Sequence, residues 1–159
     1  MKKNLFITQG ALIAALYVIL TFVSNAFGLA NGAIQLRLSE ALTILPCFTP
    51  AAIPGLFIGC LIANLLTDGV LANIIVGSLA TLAGAVGTYY LRKLKWLAPL
   101  PTVISNTVLI PFVLMFAYGI PGSYPYFAFT VFAGEILSAY VMGILLHTAI
   151  SKHSLNNHH

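Results

Sequence analysis

Charged side chains are scarce in this 159-residue chain, in which Asp, Glu, Lys and Arg together make up only 6% of the residues. A soluble domain carries roughly 25% of these residue types, because they cover its surface with groups that water solvates. The chain is 60% apolar, and its mean hydropathy is +1.00. So small a body cannot bury that much apolar area in its interior. The composition excludes a soluble enzyme, a disordered tail and a secreted disulfide scaffold, and it predicts a protein surrounded by lipid.

Reactive and metal-binding motifs are also missing. The two cysteines, Cys47 and Cys60, lie in apolar runs without the spacing of a metal site, and two cysteines give no disulfide framework. The chain has no Gly-x-x-x-x-Gly-Lys-Ser/Thr loop for ATP, no His-Glu-x-x-His motif and no Gly-x-Ser-x-Gly turn. We therefore expect no metal, no cofactor and no enzymatic activity in this chain, with any ATP hydrolysis confined to partner subunits.

The net charge of +4 raises the possibility of nucleic-acid binding. The basic residues, however, form no patch that could neutralise a run of phosphates. They lie at the ends of apolar segments instead, a placement typical of membrane topology signals. The six residues with this placement are Lys2, Lys3, Arg92, Lys93, Lys95 and Lys152.

Apolar segments of membrane-spanning length divide the chain. The first, Leu5 to Phe27, would form a helix of about 35 Å against a hydrocarbon core of about 30 Å. It is too long for the apolar region of a cleaved signal peptide, which usually has about 7 to 15 residues. We therefore predict one all-α domain over residues 1–159, a bundle of transmembrane helices with spans at about 5–27, 34–48, 50–66, 70–91, 102–118 and 126–150.

The number of crossings decides where the basic residues lie. If residues 34–66 crossed once, the cluster at Arg92 would lie opposite Lys2 and Lys3. Six crossings place all six terminal basic residues on one side, which the positive-inside rule identifies as the cytoplasm. The connections at 28–32, around Asp68 and at 119–125 would then lie outside. We predict six helices in the cell membrane with both termini cytoplasmic.

Three charged residues fall inside the predicted spans, where each costs several kcal/mol unless it is paired or faces water. Arg37 and Glu40 are three residues apart on the second span, share a helical face and could pair with each other. Counted at 1.5 Å per residue, Glu40 would lie about 9 Å deep and Glu135 about 14 Å deep, close to the midplane. Asp68 is expected to be a solvated turn residue.

Proline and polar residues indicate where a binding site would form. The second and third spans are short and interrupted by Pro46 and Pro54, and unwound backbone within a membrane is tolerated only where it lines a cavity. Asn64 ends the third span, and Asn106 lies in the fifth, where a helix–helix hydrogen bond is an equal alternative. The sequence predicts an outward-facing pocket for a small polar solute, with Arg37, Glu40, Asn64, Asn106 and Glu135 as its candidate binding residues.

Small residues at regular spacing predict close helix contacts. One seam combines Gly55, Gly59 and Ala63 on the third span, and another follows Gly77, Ala80, Gly84 and Gly87 on the fourth. On the first span, Gly10 and Ala14 form one small-xxx-small pair, and Ala11 and Ala15 form another. Either pair could face a helix of this chain or a partner protein.

One stretch of the chain resembles a known family. Residues 34–46, IQLRLSEALTILP, with the run from Pro50 to Asn64 that follows, are similar to the queuosine-precursor transporter (QueT) family. Its members are substrate-binding S subunits of energy-coupling factor (ECF) transporters. The Arg-x-Ser-Glu-Ala-Leu core carries the resemblance, and the length and six-span layout match over essentially the whole chain.

The resemblance implies a function and a set of partners. An S subunit would bind its solute from outside and dock through the first helix, here at Ala11 and Ala15, to a transmembrane scaffold subunit that carries two ATPases. The implied solutes are deazaguanine bases, whose adjacent N–H donors suit a carboxylate. On this hypothesis Glu135 or Glu40 takes that edge, the other carboxylate meets an aminomethyl group if one is present, and an Asn reads the ring carbonyl.

Two alternatives remain open at this point. The chain could be an S subunit for another vitamin or base, because a fold does not fix its ligand. It could also be a membrane scaffold or channel without transport partners, in which Arg37, Glu40 and Glu135 pair with one another. Retention of an ATPase complex and of a small molecule would separate these alternatives.

Overall fold

The computed structural model describes residues 1–30 and 34–156, and within these ranges the regular structure is helical throughout, without a strand. The predicted all-α class is therefore confirmed. The described residues form six α-helices, one 3₁₀ segment and two π-helical segments. They are α1 (Lys2–Ala26), the 3₁₀ segment (Leu38–Cys47), α2 (Ala52–Thr67), α3 (Leu71–Tyr90), α4 (Leu100–Phe112) with the first π segment (Val113–Ala117), α5 (Tyr124–Glu135) with the second π segment (Ile136–Val141), and α6 (Met142–Asn156).

Four continuous helices in these ranges are long and apolar enough to cross a bilayer of about 30 Å. They are Lys2–Ala26, Leu71–Tyr90, Leu100–Ala117 and Tyr124–Asn156. Their bounds lie within a few residues of the predicted first, fourth, fifth and sixth spans. The 3₁₀ segment and α2 are apolar but shorter, so the predicted total of six crossings stays a prediction.

The second predicted span differs from expectation at its start. Arg37 is not helical: its φ of −108° and ψ of 109° are extended, and helical structure begins only at Leu38. The Leu38 N–H donates to the Ser24 hydroxyl on α1 over 2.8 Å, and the Leu36 N–H donates to the Leu29 carbonyl over 2.8 Å. Neither of these N–H groups forms an intrahelical hydrogen bond. The prediction of a helix from residue 34 was therefore wrong, whereas the predicted interruption of regular helix in this segment is confirmed.

The connections gather at two ends of the bundle. At one end the Thr49 hydroxyl bonds Gln9 over 2.9 Å, the Lys95 ammonium donates to Thr148 over 2.7 Å, and the Phe48 ring lies 4.8 Å from that of His147. The amino-terminal half of α1 and the last helix, α6, thus share this end. The α2–α3 turn and the segment after the first π segment meet at the opposite end. Of the turn predicted at 28–32, residues 31 and 32 lie outside the described ranges.

The predicted small-residue seams are contacts between helices of this chain. A Cβ added at Gly55 would lie 2.7 Å from the Gly10 carbonyl oxygen, and one at Gly59 would lie 3.0 Å from the Ala14 Cα atom. A Cβ at Gly84 would lie 2.6 Å from the Thr102 hydroxyl oxygen. Backbones can approach this closely only where side chains are absent. At these seams α1 packs closely against α2, and α3 packs closely against α4.

The two small-residue pairs of α1 have opposite surroundings. Gly10 and Ala14 pack against α2, as the distances at Gly55 and Gly59 show. Ala11 and Ala15, one residue further along, are exposed. Only 17% of the most apolar window of α1 is buried, against 50% for α3. One face of α1 is thus used inside the bundle, and the other is left open.

Candidate functional site

A small polar cavity lies inside the bundle and has a volume of about 30 Å³. It receives side chains from the extended stretch before Leu38, the 3₁₀ segment, α3, α4 and α5. Four of the five binding residues predicted from the sequence meet in it. Its lining residues are Gln35, Arg37, Glu40, Gly77, Thr81, Asn106, Ile110, Val131 and Glu135. We call it the inner cavity.

Glu40 is held on one side and free on the other. Its side chain is buried within the 3₁₀ segment, with 3% of its surface exposed. The Tyr17 hydroxyl on α1 donates to Oε1 over 2.6 Å, and Tyr17 is itself buried. The second oxygen, Oε2, is buried without a hydrogen-bond partner in the described structure. Glu40 therefore keeps one acceptor available toward the inner cavity.

Glu135 occupies the junction between α5 and the second π segment. Its Oε2 atom is likewise buried and has no hydrogen-bond partner among the described residues. The buried side chain of Asn106, on α4, lines the same cavity. π-Helical turns are rare and occur frequently at functional sites, because they shift the register of the side chains around them. The local geometry thus places a second free carboxylate oxygen in the inner cavity.

Arg37 bonds an asparagine rather than a carboxylate. Its Nη1 donates to the side-chain oxygen Oδ1 of Asn64 over 3.3 Å. Arg37 has no ion pair with a carboxylate of the described chain. The pairing of Arg37 with Glu40 that their spacing would allow on one helical face does not form among the described residues, because Arg37 is extended and precedes the helix. Both side chains nevertheless line the inner cavity.

Asn64 does not line the inner cavity but bonds Arg37, which does. Its side chain is 1% exposed, and its amide nitrogen donates to the Cys60 sulfur and to the Asn73 carbonyl, both over 3.4 Å. Its oxygen accepts from Arg37. These bonds turn its amide toward α3 and Arg37, and its role in binding stays a prediction.

A larger cavity adjoins the inner one on the side away from the chain termini. Its volume of about 510 Å³ lies within the usual range for small-molecule sites, about 300–1,000 Å³. It shares Gln35 and Arg37 with the inner cavity, so these two side chains stand between the two spaces. Its lining residues are Asn25, Ala30, Gln35, Arg37, Thr67, Asp68, Leu114, Tyr118, Ile120, Pro121, Tyr126 and Phe127. We call it the outer cavity.

Asp68 is more constrained than a solvated turn residue. Its Oδ2 accepts from the Asn73 amide over 2.7 Å and from the Tyr118 hydroxyl. Tyr118 follows the helix that ends at Ala117, and burial, together with the bond to Asp68, raises the pKa of its hydroxyl. Tyr118 therefore stays a neutral donor. The expectation for Asp68 was incomplete, because this bond ties the α2–α3 turn to the wall of the outer cavity.

Sequence reasoning missed two polar residues that line the inner cavity, Gln35 and Thr81, and also Tyr17, which bonds Glu40. A tyrosine in the middle of an apolar span was a usable signal for Tyr17, because a buried hydroxyl needs a hydrogen-bond partner. Gln35 and Thr81 carried no such signal. The position of Gln35 depends on the extended backbone, which places its carbonyl against Gly134 of α5.

The chemistry of this arrangement is that of binding. Two free carboxylate oxygens, one guanidinium and two amides surround a small space that continues into a larger cavity with aromatic walls. No group of three His, Cys, Asp or Glu side chains in the described chain could hold a metal ion. The site suits a small polar solute with a flat body.

Comparisons with known proteins point in the same direction. A family model described as QueT transporter matches residues 7–152. Over 81 residues the chain is 42% identical to the queuosine precursor transporter QueT of Lactococcus lactis subsp. cremoris (strain MG1363). That match covers 51% of this chain and 47% of the relative, so the chain spans about half the length of that protein. No solved structure matches the chain.

Proposed function

The chain belongs to the QueT transporter family, and from this premise we propose that it is the substrate-binding S subunit of an ECF importer for a queuosine precursor. As a member of a transporter family with several long apolar helices, it is a multi-pass membrane protein. In the proposed role it captures a deazaguanine base from outside the cell. Its partners, a scaffold subunit and two ATPases, supply the energy for release inside.

The observation that carries the proposal is the meeting of Arg37, Glu40, Asn106 and Glu135 in the inner cavity. Charged residues buried in a membrane protein are costly and usually mark a substrate pathway. A deazaguanine base presents N–H donors and a carbonyl acceptor on a flat ring. Carboxylate and amide oxygens match the donors, the guanidinium matches the carbonyl, and the aromatic rings of the outer cavity suit the flat body.

The orientation in the membrane is part of the proposal. Six basic residues lie at the ends of apolar segments, at the end of the bundle where α1 begins and α6 ends. They are Lys2, Lys3, Arg92, Lys93, Lys95 and Lys152. Basic residues favour the cytoplasmic side. Six crossings with cytoplasmic termini would then open the outer cavity to the outside of the cell, where the solute is captured.

The open face of α1 is the proposed docking surface for the scaffold subunit. Ala11 and Ala15 are exposed there, whereas Gly10 and Ala14 are occupied by α2. Small side chains four residues apart let a partner helix approach the backbone closely. The free pair is therefore available to a partner without any change in the bundle.

The solute is tested by ligand binding to the purified full chain in detergent. We expect deazaguanine bases to raise the melting temperature and riboflavin or thiamin at equal concentration to leave it unchanged. Arg37→Gln should weaken binding of the base by about 1.5–3 kcal/mol, the range for a hydrogen bond to a charged group. Binding of another vitamin in place of the bases would reassign the cargo.

The partners are tested by co-purification from cells that express the tagged chain with its scaffold and ATPases. We expect these subunits to be retained, and Ala15→Leu to abolish their retention while solute binding persists. Ala83→Leu makes the same change at an exposed alanine of α3 and is the matched control. If Ala15→Leu and Ala83→Leu retained the partners equally well, the docking face would be refuted.

A further inference from the structure

Asn64 lines neither cavity, yet it is bonded to a side chain that borders both. Arg37 belongs to the walls of the inner and the outer cavity, and its Nη1 donates to Oδ1 of Asn64 over 3.3 Å. Within the described ranges this is the one hydrogen bond that the guanidinium forms. The contact with Asn64 therefore decides where the guanidinium stands between the two spaces.

The amide of Asn64 can face Arg37 in one orientation only. A guanidinium donates hydrogen bonds and accepts none, so it needs the amide oxygen. The amide nitrogen then points the other way, where it donates to the Asn73 carbonyl and to the Cys60 sulfur, both over 3.4 Å. The main-chain carbonyl of Asn64 accepts from the N–H groups of Asp68 and Gly69, each over 3.0 Å. Main chain and side chain thus both anchor Asn64 at the α2–α3 turn.

The space around Asn64 is closely fitted to its amide. Its side chain is 1% exposed. A Cβ added at Gly77 of α3 would lie 3.1 Å from Nδ2 of Asn64 and 3.1 Å from Oδ1 of Asn73. The Asn73 amide in turn donates to Asp68 over 2.7 Å. A buried network whose members are hydrogen-bonded holds one arrangement, so Asn64 presents a fixed acceptor to Arg37.

The other groups that could bind Arg37 are carboxylates. Oε2 of Glu40 and Oε2 of Glu135 are buried without a hydrogen-bond partner in the described structure, and both residues line the inner cavity together with Arg37. A guanidinium bonds a carboxylate more strongly than a neutral amide, and burial strengthens the attraction. The inner cavity, with about 30 Å³, has room for one or two groups the size of a water molecule. An ion pair there would fill it.

We propose that Asn64 is a positioning residue, which holds Arg37 at the boundary of the two cavities and so keeps the guanidinium from pairing with Glu40 or Glu135. This inference rests on the proposed function, because an open inner cavity matters only to a chain that admits a solute. Asn64 touches no solute in this role. It keeps two carboxylate oxygens and the small space between them available.

The test compares two substitutions of Asn64 that differ in the acceptor they offer. The purified full chain in detergent is titrated with a deazaguanine base. Asn64→Leu removes the acceptor and should weaken binding about tenfold, the factor that one hydrogen bond to a charged group is worth. Asn64→Asp keeps an acceptor toward Arg37 and should bind within about threefold of the unmodified chain. A merely structural Asn64 predicts the reverse order, because a buried position tolerates leucine better than a carboxylate.

A second comparison follows Arg37 itself. In the Arg37→Gln background, Asn64→Leu should weaken binding by less than about twofold, because no guanidinium is left to misplace. The control for loss of a buried hydrogen bond is Thr88→Val, near the end of α3 and away from both cavities. Its hydroxyl donates to the Ala98 carbonyl over 2.8 Å and is fully buried. Thr88→Val should lower the melting temperature and leave the affinity for the base unchanged.

Two results would overturn the proposal: binding by Asn64→Leu as tight as that of the unmodified chain, or binding by Asn64→Asp no tighter than that of Asn64→Leu. If leucine does not fold beside Gly77, Asn64→Ala removes the same acceptor and is judged by the same outcomes. Failure of the unmodified chain to bind any deazaguanine base would refute the proposed function instead. Melting temperatures without solute then decide, because additive losses in Arg37→Gln and Asn64→Leu would show that the two side chains act independently.

Discussion

The α1–α2 seam and the walls of the inner cavity are built in opposite ways. The seam consists of regular α-helix, and its closest approaches involve Gly10, Ala14, Gly55 and Gly59. The cavity walls come from an extended stretch, a 3₁₀ segment and the junction between α5 and a π segment, and they carry the charged residues. Regular backbone forms the helix contacts, and irregular backbone forms the polar cavity.

This difference follows from what stabilises each region. Inside a membrane protein, helices associate through van der Waals contact between closely spaced backbones. Irregular backbone is tolerated there only when its polar groups are satisfied or line a cavity. Substitutions in the seam should therefore act on stability through volume, whereas substitutions around the cavity should act through hydrogen bonds.

The largest loss of stability in the seam is expected from Ala14→Leu. Ala14 lies against Gly59, so a larger side chain forces α1 and α2 apart and should destabilise the protein by about 3 kcal/mol. The same change at the neighbouring exposed residue, Ala15→Leu, should change stability by less than about 0.5 kcal/mol. Thermal melting of both variants in detergent measures the difference, and equal melting temperatures would contradict the assignment of the two faces.

A smaller effect is expected from one added methyl group in the seam. Gly55→Ala would place a Cβ 2.7 Å from the Gly10 carbonyl oxygen, a backbone atom that moves only with its helix, and should cost about 1–2 kcal/mol. At Gly143 of α6 the nearest atom would be the Ile44 Cβ at 3.7 Å, an ordinary contact. Gly143→Ala should therefore leave the melting temperature unchanged or raise it through better helix propensity.

The smallest expected effect lies in the cavity wall. Tyr17→Phe keeps the ring and removes the donor to Glu40 Oε1, which should cost about 1 kcal/mol. Tyr124→Phe removes a solvent-exposed hydrogen bond of 3.0 Å from the Tyr124 hydroxyl to the Val108 carbonyl, and it should have almost no effect. Equal melting temperatures of the two variants would show that the Tyr17–Glu40 bond contributes little.

Much of the fold was predictable because lipid imposes simple rules. Apolar length located the four long helices, and small-residue spacing located the seams at Gly55 and Gly84. The start of the second span was not predictable from hydropathy. There the Ser24 hydroxyl of α1 takes the Leu38 N–H, a contact between residues far apart in sequence that the apolar pattern does not record.

The charged residues of the inner cavity were predictable because charge alone marked them. Arg37, Glu40 and Glu135 were located because an ionisable residue in an apolar span needs a reason, and Asn106 was found with them. Their bonds could not be predicted, since each depends on the geometry of the folded chain. The partner of Arg37 is Asn64 rather than Glu40 because Arg37 is extended and precedes the helix.

In the proposed function, the boundary between the two cavities determines how quickly a solute is bound. Gln35 and Arg37 are the side chains that the two described linings share, and Arg37 is held by one hydrogen bond of 3.3 Å to Asn64. Rotation of a single side chain is orders of magnitude faster than collective movement of helices. A solute already in the outer cavity would thus reach the carboxylates as quickly as one guanidinium turns, and the slow step of uptake would come after capture.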